Sequence, residues 1–103
     1  MRRRTTRMTQ EQLNVKVLAE AHEFQKPVVL DLMARRWEIS SVSYSPKSGA
    51  RVIVLRHQGN SRSGIVVYPD GSGSRAEGKV SWNWDRVERA AEATVPAGQS
   101  AFS

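Results

Sequence analysis

The sequence predicts an α+β fold: one or two N-terminal helices, an antiparallel sheet of three to four strands, and a short C-terminal helix. Three observations point there. Residues 51–68 contain two apolar runs, Val52–Leu55 and Ile65–Tyr68, joined by a polar loop, which is the pattern of a β-hairpin. Residues 9–24 repeat apolar side chains at helical spacing behind a capping signature. All four prolines and all seven glycines fall at the proposed boundaries or loops, so local preference and global pattern agree.

The first helix starts at Thr9. With Gln12 at N3 this matches the capping box, and Met8 and Leu13 are placed to form the accompanying hydrophobic staple. Leu13, Val17, Ala21 and Phe24 then make one stripe with Leu18 beside it. The helix is expected to end near Phe24–Gln25, before Pro27. Residues 27–36, PVVLDLMARR, read as a short second helix with Pro27 at N1, because Leu30, Met33, Ala34 and Trp37 follow helical spacing. A strand with Val28, Leu30 and Leu32 on one face is the alternative.

Trp37–Tyr44 is rich in β-formers, but strict alternation sets Trp37 and Ile39 against Val42 and Tyr44. That fault marks a bulge near Ser40–Ser41. The turn Ser45–Ala50 leads into Arg51–His57, a strand apolar on both faces, which belongs in the middle of a sheet or in a closed barrel. A loop over 58–63 precedes the third strand, Gly64–Tyr68. Pro69–Asp70–Gly71 has turn chemistry. Lys79–Trp84 alternates cleanly, with Val80, Trp82 and Trp84 on one side, and reads as a fourth strand. Asp85 is the expected cap of the last helix, with Glu88 at N3 and Val87, Ala90, Ala91 and Thr94 as its stripe. Pro96 and Gly98 end it. The layout is a flexible basic arm (1–8), one α+β domain (9–95) and a disordered tail (96–103).

Composition limits the chemistry. The 103 residues include no cysteine, which excludes disulfides, a thiolate nucleophile and sulfur-ligated zinc. No apolar run reaches the roughly 18–20 residues of a membrane span, and no apolar segment follows the basic start, so a cytoplasmic location is the expectation. The two histidines, His22 and His57, lie 35 residues apart, and no carboxylates stand at metal-motif spacing. Neither an enzyme, nor a metal, nor a cofactor is expected.

Charge carries the functional signal. The net charge is +6 and the pI about 10.5. Residues 35–75 hold seven cations and two acids, whereas residues 76–103 hold three cations and four acids. Arginines outnumber lysines twelve to four, and the guanidinium fork suits phosphate oxygens. Such asymmetry predicts a polyanionic or acidic partner. The candidate nucleic-acid-binding residues are Arg35, Arg36, Lys47, Arg51, Arg56, Arg62 and Arg75, joined by Arg3 and Arg4 of the arm. They are expected to converge on one face and follow the phosphate backbone of DNA or RNA. Tyr44, Tyr68 and Trp82 are stacking partners wherever they face outward. The rival expectation is a small inhibitor or adaptor of mobile-element type that docks on an acidic protein surface.

LDLMARRWEISSVSY resembles a helix-turn-helix, with Met33, Ala34, Trp37, Ile39 and Tyr44 at its apolar positions. The hairpin that follows is similar to the wing of winged-helix proteins, which implies a DNA-binding regulator with a recognition helix over Ser41–Lys47. Glu38 stands where that motif favours glycine, and Pro46 and Gly49 shorten the helix. The order of elements is also similar to double-stranded RNA-binding domains, although Asp85 and Glu88 occupy the place of their basic cluster.

Overall fold

The computed structural model describes residues 8–93, so the arm (apart from Met8) and the tail lie outside the described residues. Within that range the chain forms α1 (Gln10–Glu20), α2 (Gln25–Ala34), β1 (Trp37–Tyr44), β2 (Arg51–His57), β3 (Asn60–Val67), β4 (Gly73–Glu77) and α3 (Trp84–Ala93). The strands make one antiparallel meander in the order β1-β2-β3-β4. This is the predicted α+β architecture, with two N-terminal helices and four strands.

The two-faced strand β2 lies inside the sheet, and both of its faces are covered. Ile53 and Leu55 join Trp37, Ile39, Ile65 and Val67 in a cluster under α1 and α2, which add Val17, Ala21 and Val29. Val52 and Val54 join Val66 and Tyr68 in a second cluster on the opposite face, covered by Val87 and Ala90 of α3. The bulge is present in β1. Ile39 pairs with Leu55 and Ser41 with Val54, so Ser40 is the extra residue. It restores the alternation, because Val42 returns to the face of Trp37 and Ile39 and packs under the helices.

The N-terminus of α1 is the predicted capping box. Gln12 N–H donates to Thr9 Oγ1 and Thr9 N–H to Gln12 Oε1, each at 3.0 Å. The end of α1 comes earlier than expected. Ala21 turns to extended backbone (φ −66°, ψ 151°), and Phe24, expected in the buried stripe, is 51% exposed. The second helix then starts at Gln25, which puts Pro27 at the third helical position, where no intrahelical donor is lost.

What stops α1 is a polar junction with the sheet. Tyr68 N–H donates to the Ser72 carbonyl at 2.8 Å, so even-numbered residues of β3 face β4 and odd-numbered ones face β2. Continuing the Ile53–Val67 register by two residues sets Pro69 opposite Arg51. Proline has no N–H and the chain turns away there, which leaves both backbone groups of Arg51 without a strand partner. The α1–α2 connection supplies them. Arg51 N–H donates to His22 Nε2 at 3.1 Å, and Gln25 Nε2 donates to the Arg51 carbonyl at 2.8 Å and the Val67 carbonyl at 3.1 Å. Gln25 Oε1 accepts the His22 N–H at 2.9 Å, so this fully buried amide is satisfied at both ends.

Three other expectations are corrected. The third strand begins at Asn60 instead of Gly64, because the hairpin closes through Gln58–Gly59 alone, with His57 paired to Asn60. The fourth strand is Gly73–Glu77, and Lys79–Trp84 is not a strand. Gly78 (φ +74°) reverses the chain off the β3 edge that β4 already occupies, and Val80, Trp82 and Trp84 pack on the α3-side cluster. The cap of α3 is Asn83, not Asp85. Its side chain accepts the Asp85 N–H at 2.7 Å, and its carbonyl accepts the Val87 N–H at 3.1 Å. Ser41–Lys47 contains the end of β1 and a turn, so no recognition helix stands there and the helix-turn-helix resemblance does not extend to the backbone.

The Pro69–Asp70–Gly71 turn forms as expected, with Gly71 N–H bonded to the Tyr68 carbonyl at 2.8 Å. Gly71 has φ +88°, and a Cβ there would stand 2.7 Å from the Phe24 backbone carbonyl. Replacing Gly71 with Ala is expected to destabilise the fold by about 1–3 kcal/mol in urea unfolding, from a strained φ and a backbone clash together. Gln25→Leu keeps the approximate volume but strands the Arg51 carbonyl and the His22 N–H. The same measurement is expected to show a loss of about 1–3 kcal/mol.

Candidate nucleic-acid interface

Three segments meet at the hairpin end of the sheet. Gln58 N–H, at the β2–β3 tip, donates to the Arg36 carbonyl at 2.8 Å, and Gly78 N–H donates to the Arg62 carbonyl at 2.7 Å. The residue after the α2 cap, the hairpin and the exit of β4 are thereby tied together. They bring the exposed Arg35, Arg36, Arg62 and Lys79 to one end of the sheet. Arg75, in β4, reaches the same end: its guanidinium carbon is 5.7 Å from the ring centroid of Trp37, whose backbone pairs with His57. The acids interleaved with these cations are Asp31, Glu38 and Glu77. Arg35 pairs with Asp31 at 3.4 Å, an exposed i,i+4 contact of small energetic value.

Arg36 is the unusual member. It follows Arg35, the C-cap of α2, and donates its N–H to the Met33 carbonyl at 3.3 Å. Its φ is +75°, the only positive value at a non-glycine among the described residues. Helices commonly place glycine here, since a Cβ in the left-handed region costs about 1–2 kcal/mol.

The other sequence-predicted cations lie elsewhere. Arg56 is occupied structurally: its Nη1 donates to the Gly78 carbonyl at 2.8 Å and to the Ser61 and Arg62 carbonyls at 3.4 Å each. It shares the α3-side face with Val54. Arg51 is on the helical side near the far end of the sheet, 5.8 Å over the Tyr44 ring. Lys47 is in the β1–β2 turn at that far end, near Glu88. The candidate set is therefore divided between two faces and two ends instead of sharing one face. Arg3 and Arg4 lie outside the described residues. Lys79 was missed because its segment read as a strand; its place directly after Gly78 was the available signal. Of the proposed stacking residues, Tyr44 faces outward, whereas Tyr68 is buried beneath Arg86 at 4.0 Å and Trp82 packs edge-on to Trp84 at 5.6 Å.

The far end is held by carboxylates. Ser45 and Ser48 hydroxyls donate to Glu88, which lowers its pKa and fastens α3 to the β1–β2 turn. Tyr44 donates to Glu20, which holds that carboxyl below its ordinary range. Among the described residues no group of three His, Asp or Glu side chains could hold a metal ion, and no helix is long and apolar enough to cross a membrane. Compared with known proteins, the chain matches no family model, no curated protein and no solved structure.

Burial, assisted by the nearby Arg51 charge, lowers the His22 pKa below its ordinary value of 6.5. The unfolded chain therefore takes up a proton that the folded chain resists. The stabilisation from neutral His22 is complete above about pH 6.5 and is lost as the pH falls toward the lowered value. Urea unfolding between about pH 7.5 and 5.5 is expected to show falling stability. His22→Gln, which keeps an acceptor without titrating, is expected to flatten that slope.

Proposed function

We propose that the protein binds nucleic acid by docking the hairpin end of its sheet on the phosphate backbone. The observation that carries this reading is Arg36, which holds a left-handed conformation where glycine is favoured and adds a cation at the end of the sheet that also carries Arg62 and Lys79. Backbone strain at a residue whose side chain is exposed supports a role for that side chain. Arg35 and Arg36 flank the tip on one side, Arg62 and Lys79 on the other, so a backbone laid across the tip meets cations on both sides of it. The basic stretch with Arg3 and Arg4 would add further phosphate contacts. Nothing in this set reads base edges, so the binding is tolerant of sequence at the backbone level.

A second reading, a protein-binding adaptor, draws on the helical layer, where Val15, Leu30 and Phe24 are 66%, 53% and 51% exposed. A gel shift beside a pull-down after nuclease treatment separates the two. A stoichiometric protein partner without a shift favours the adaptor.

Affinity for nucleic acid is expected to fall with salt at a log–log slope of roughly −0.9 per phosphate contacted. Arg36→Gly is expected to stabilise the fold by about 1 kcal/mol while weakening binding and reducing the slope by about one contact. A more stable variant with undiminished affinity would remove the main support for this reading.

A further inference from the structure

Resting on the nucleic-acid reading, we infer that the cleft between Trp37 and Glu77 is a subsite for one unpaired guanine base of a single strand. The cleft measures about 190 Å³ and is lined by Trp37, Ser63, Gly64, Arg75, Ala76 and Glu77. It opens on the helical side of the sheet, just beyond the core formed by Leu55 and Ile65, and beside the cations of the hairpin end.

Each wall supplies a contact of a different kind. His57 meets the Trp37 ring edge-on, at 5.0 Å between centroids and 85° between planes, and so fixes the orientation of the indole. The Arg75 guanidinium lies over the same ring at 5.7 Å, near the outer limit of a cation–π contact. Arg75 is exposed and makes no ion pair among the described residues. Trp37 is only 6% exposed, so the indole offers the cleft its rim. A base entering here lies against that rim where the guanidinium now stands, and Arg75 is then free to grip the adjoining phosphate with two parallel hydrogen bonds.

Glu77 sets the choice of base. It stands across from Ser63 in the β3–β4 ladder, on the face of Arg75, and also makes no ion pair among the described residues. An ionised carboxylate only accepts hydrogen bonds. The pairing edge of guanine offers two adjacent donors, the ring N–H and the exocyclic amine, which match two carboxylate oxygens. Adenine and cytosine place a ring acceptor beside their amine, and uracil and thymine flank one N–H with two carbonyls. Because a duplex hides this edge, the base must be unpaired.

The test uses the full chain and fluorescently labelled oligo-uridine strands carrying one internal guanosine, adenosine or uridine, with guanosine monophosphate as a separate ligand. The guanosine strand is expected to bind about tenfold tighter than the adenosine strand, a typical preference for one bidentate pair. Glu77→Gln, at an exposed position, is expected to bring that ratio below about twofold. If the strands bind alike while still responding to salt, the subsite inference fails and the phosphate reading stands. If no strand binds, both fail. If guanosine monophosphate binds as tightly as the guanosine strand, the site is a free-nucleotide pocket and the single-strand assignment is overturned.

Discussion

A strand that is apolar on both sides needs a layer of cover on each, and β2 imposes that requirement on the whole chain. Its residues Val52, Ile53, Val54 and Leu55 are all buried. Two layers follow from this, with α1 and α2 on one face and α3 with the Val80–Trp84 stretch on the other. The order of the chain fits the requirement economically. The helices that cover one face precede the strands, the element that covers the other follows them, and the sheet between is a simple meander. Where β2 emerges at Arg51, the ladder has run out, and the buried Gln25 with His22 closes it.

The local features of this fold were legible because they rest on local physics. The Thr9–Gln12 cap, the bulge at Ser40 and the turn at Gly71 each depend on a few adjacent residues. What sequence reasoning missed depends on distant partners. The Gly73–Glu77 stretch, GSRAE, has almost no strand preference of its own and becomes β4 because β3 offers an open edge. Val80, Trp82 and Trp84 alternate as a strand would, yet their burial needs only an apolar surface, which the α3-side cluster provides. The early stop of α1 follows from Pro69, far along the chain, leaving Arg51 unpaired. Nothing near Gln25 announces that role.

The candidate site shows the same division. Summed charge predicted a common positive field, but strand alternation sends Arg51 and Arg56 to opposite faces, and Arg56 is consumed by backbone carbonyls. The cations that do gather were brought together by two backbone hydrogen bonds, at Arg36 and at Arg62, which no pattern of charges encodes. The signal that sequence could have given was the pair Arg35–Arg36 closing a helix where glycine usually stands. It is visible once the helix boundary is known and meaningless before.

The sheet also acts as a bulkhead. It separates two apolar compartments that share no side chain, and the two are not fastened equally. Two helices grip one side, whereas one short helix and the irregular Val80–Trp84 stretch close the other, the helix moored to the β1–β2 turn by Glu88. Protection of backbone amides against exchange should therefore be graded across the molecule. The C-terminal covering is expected to open first, and its detachment would bare Val52, Val54 and Val66 while the opposite compartment stays shut.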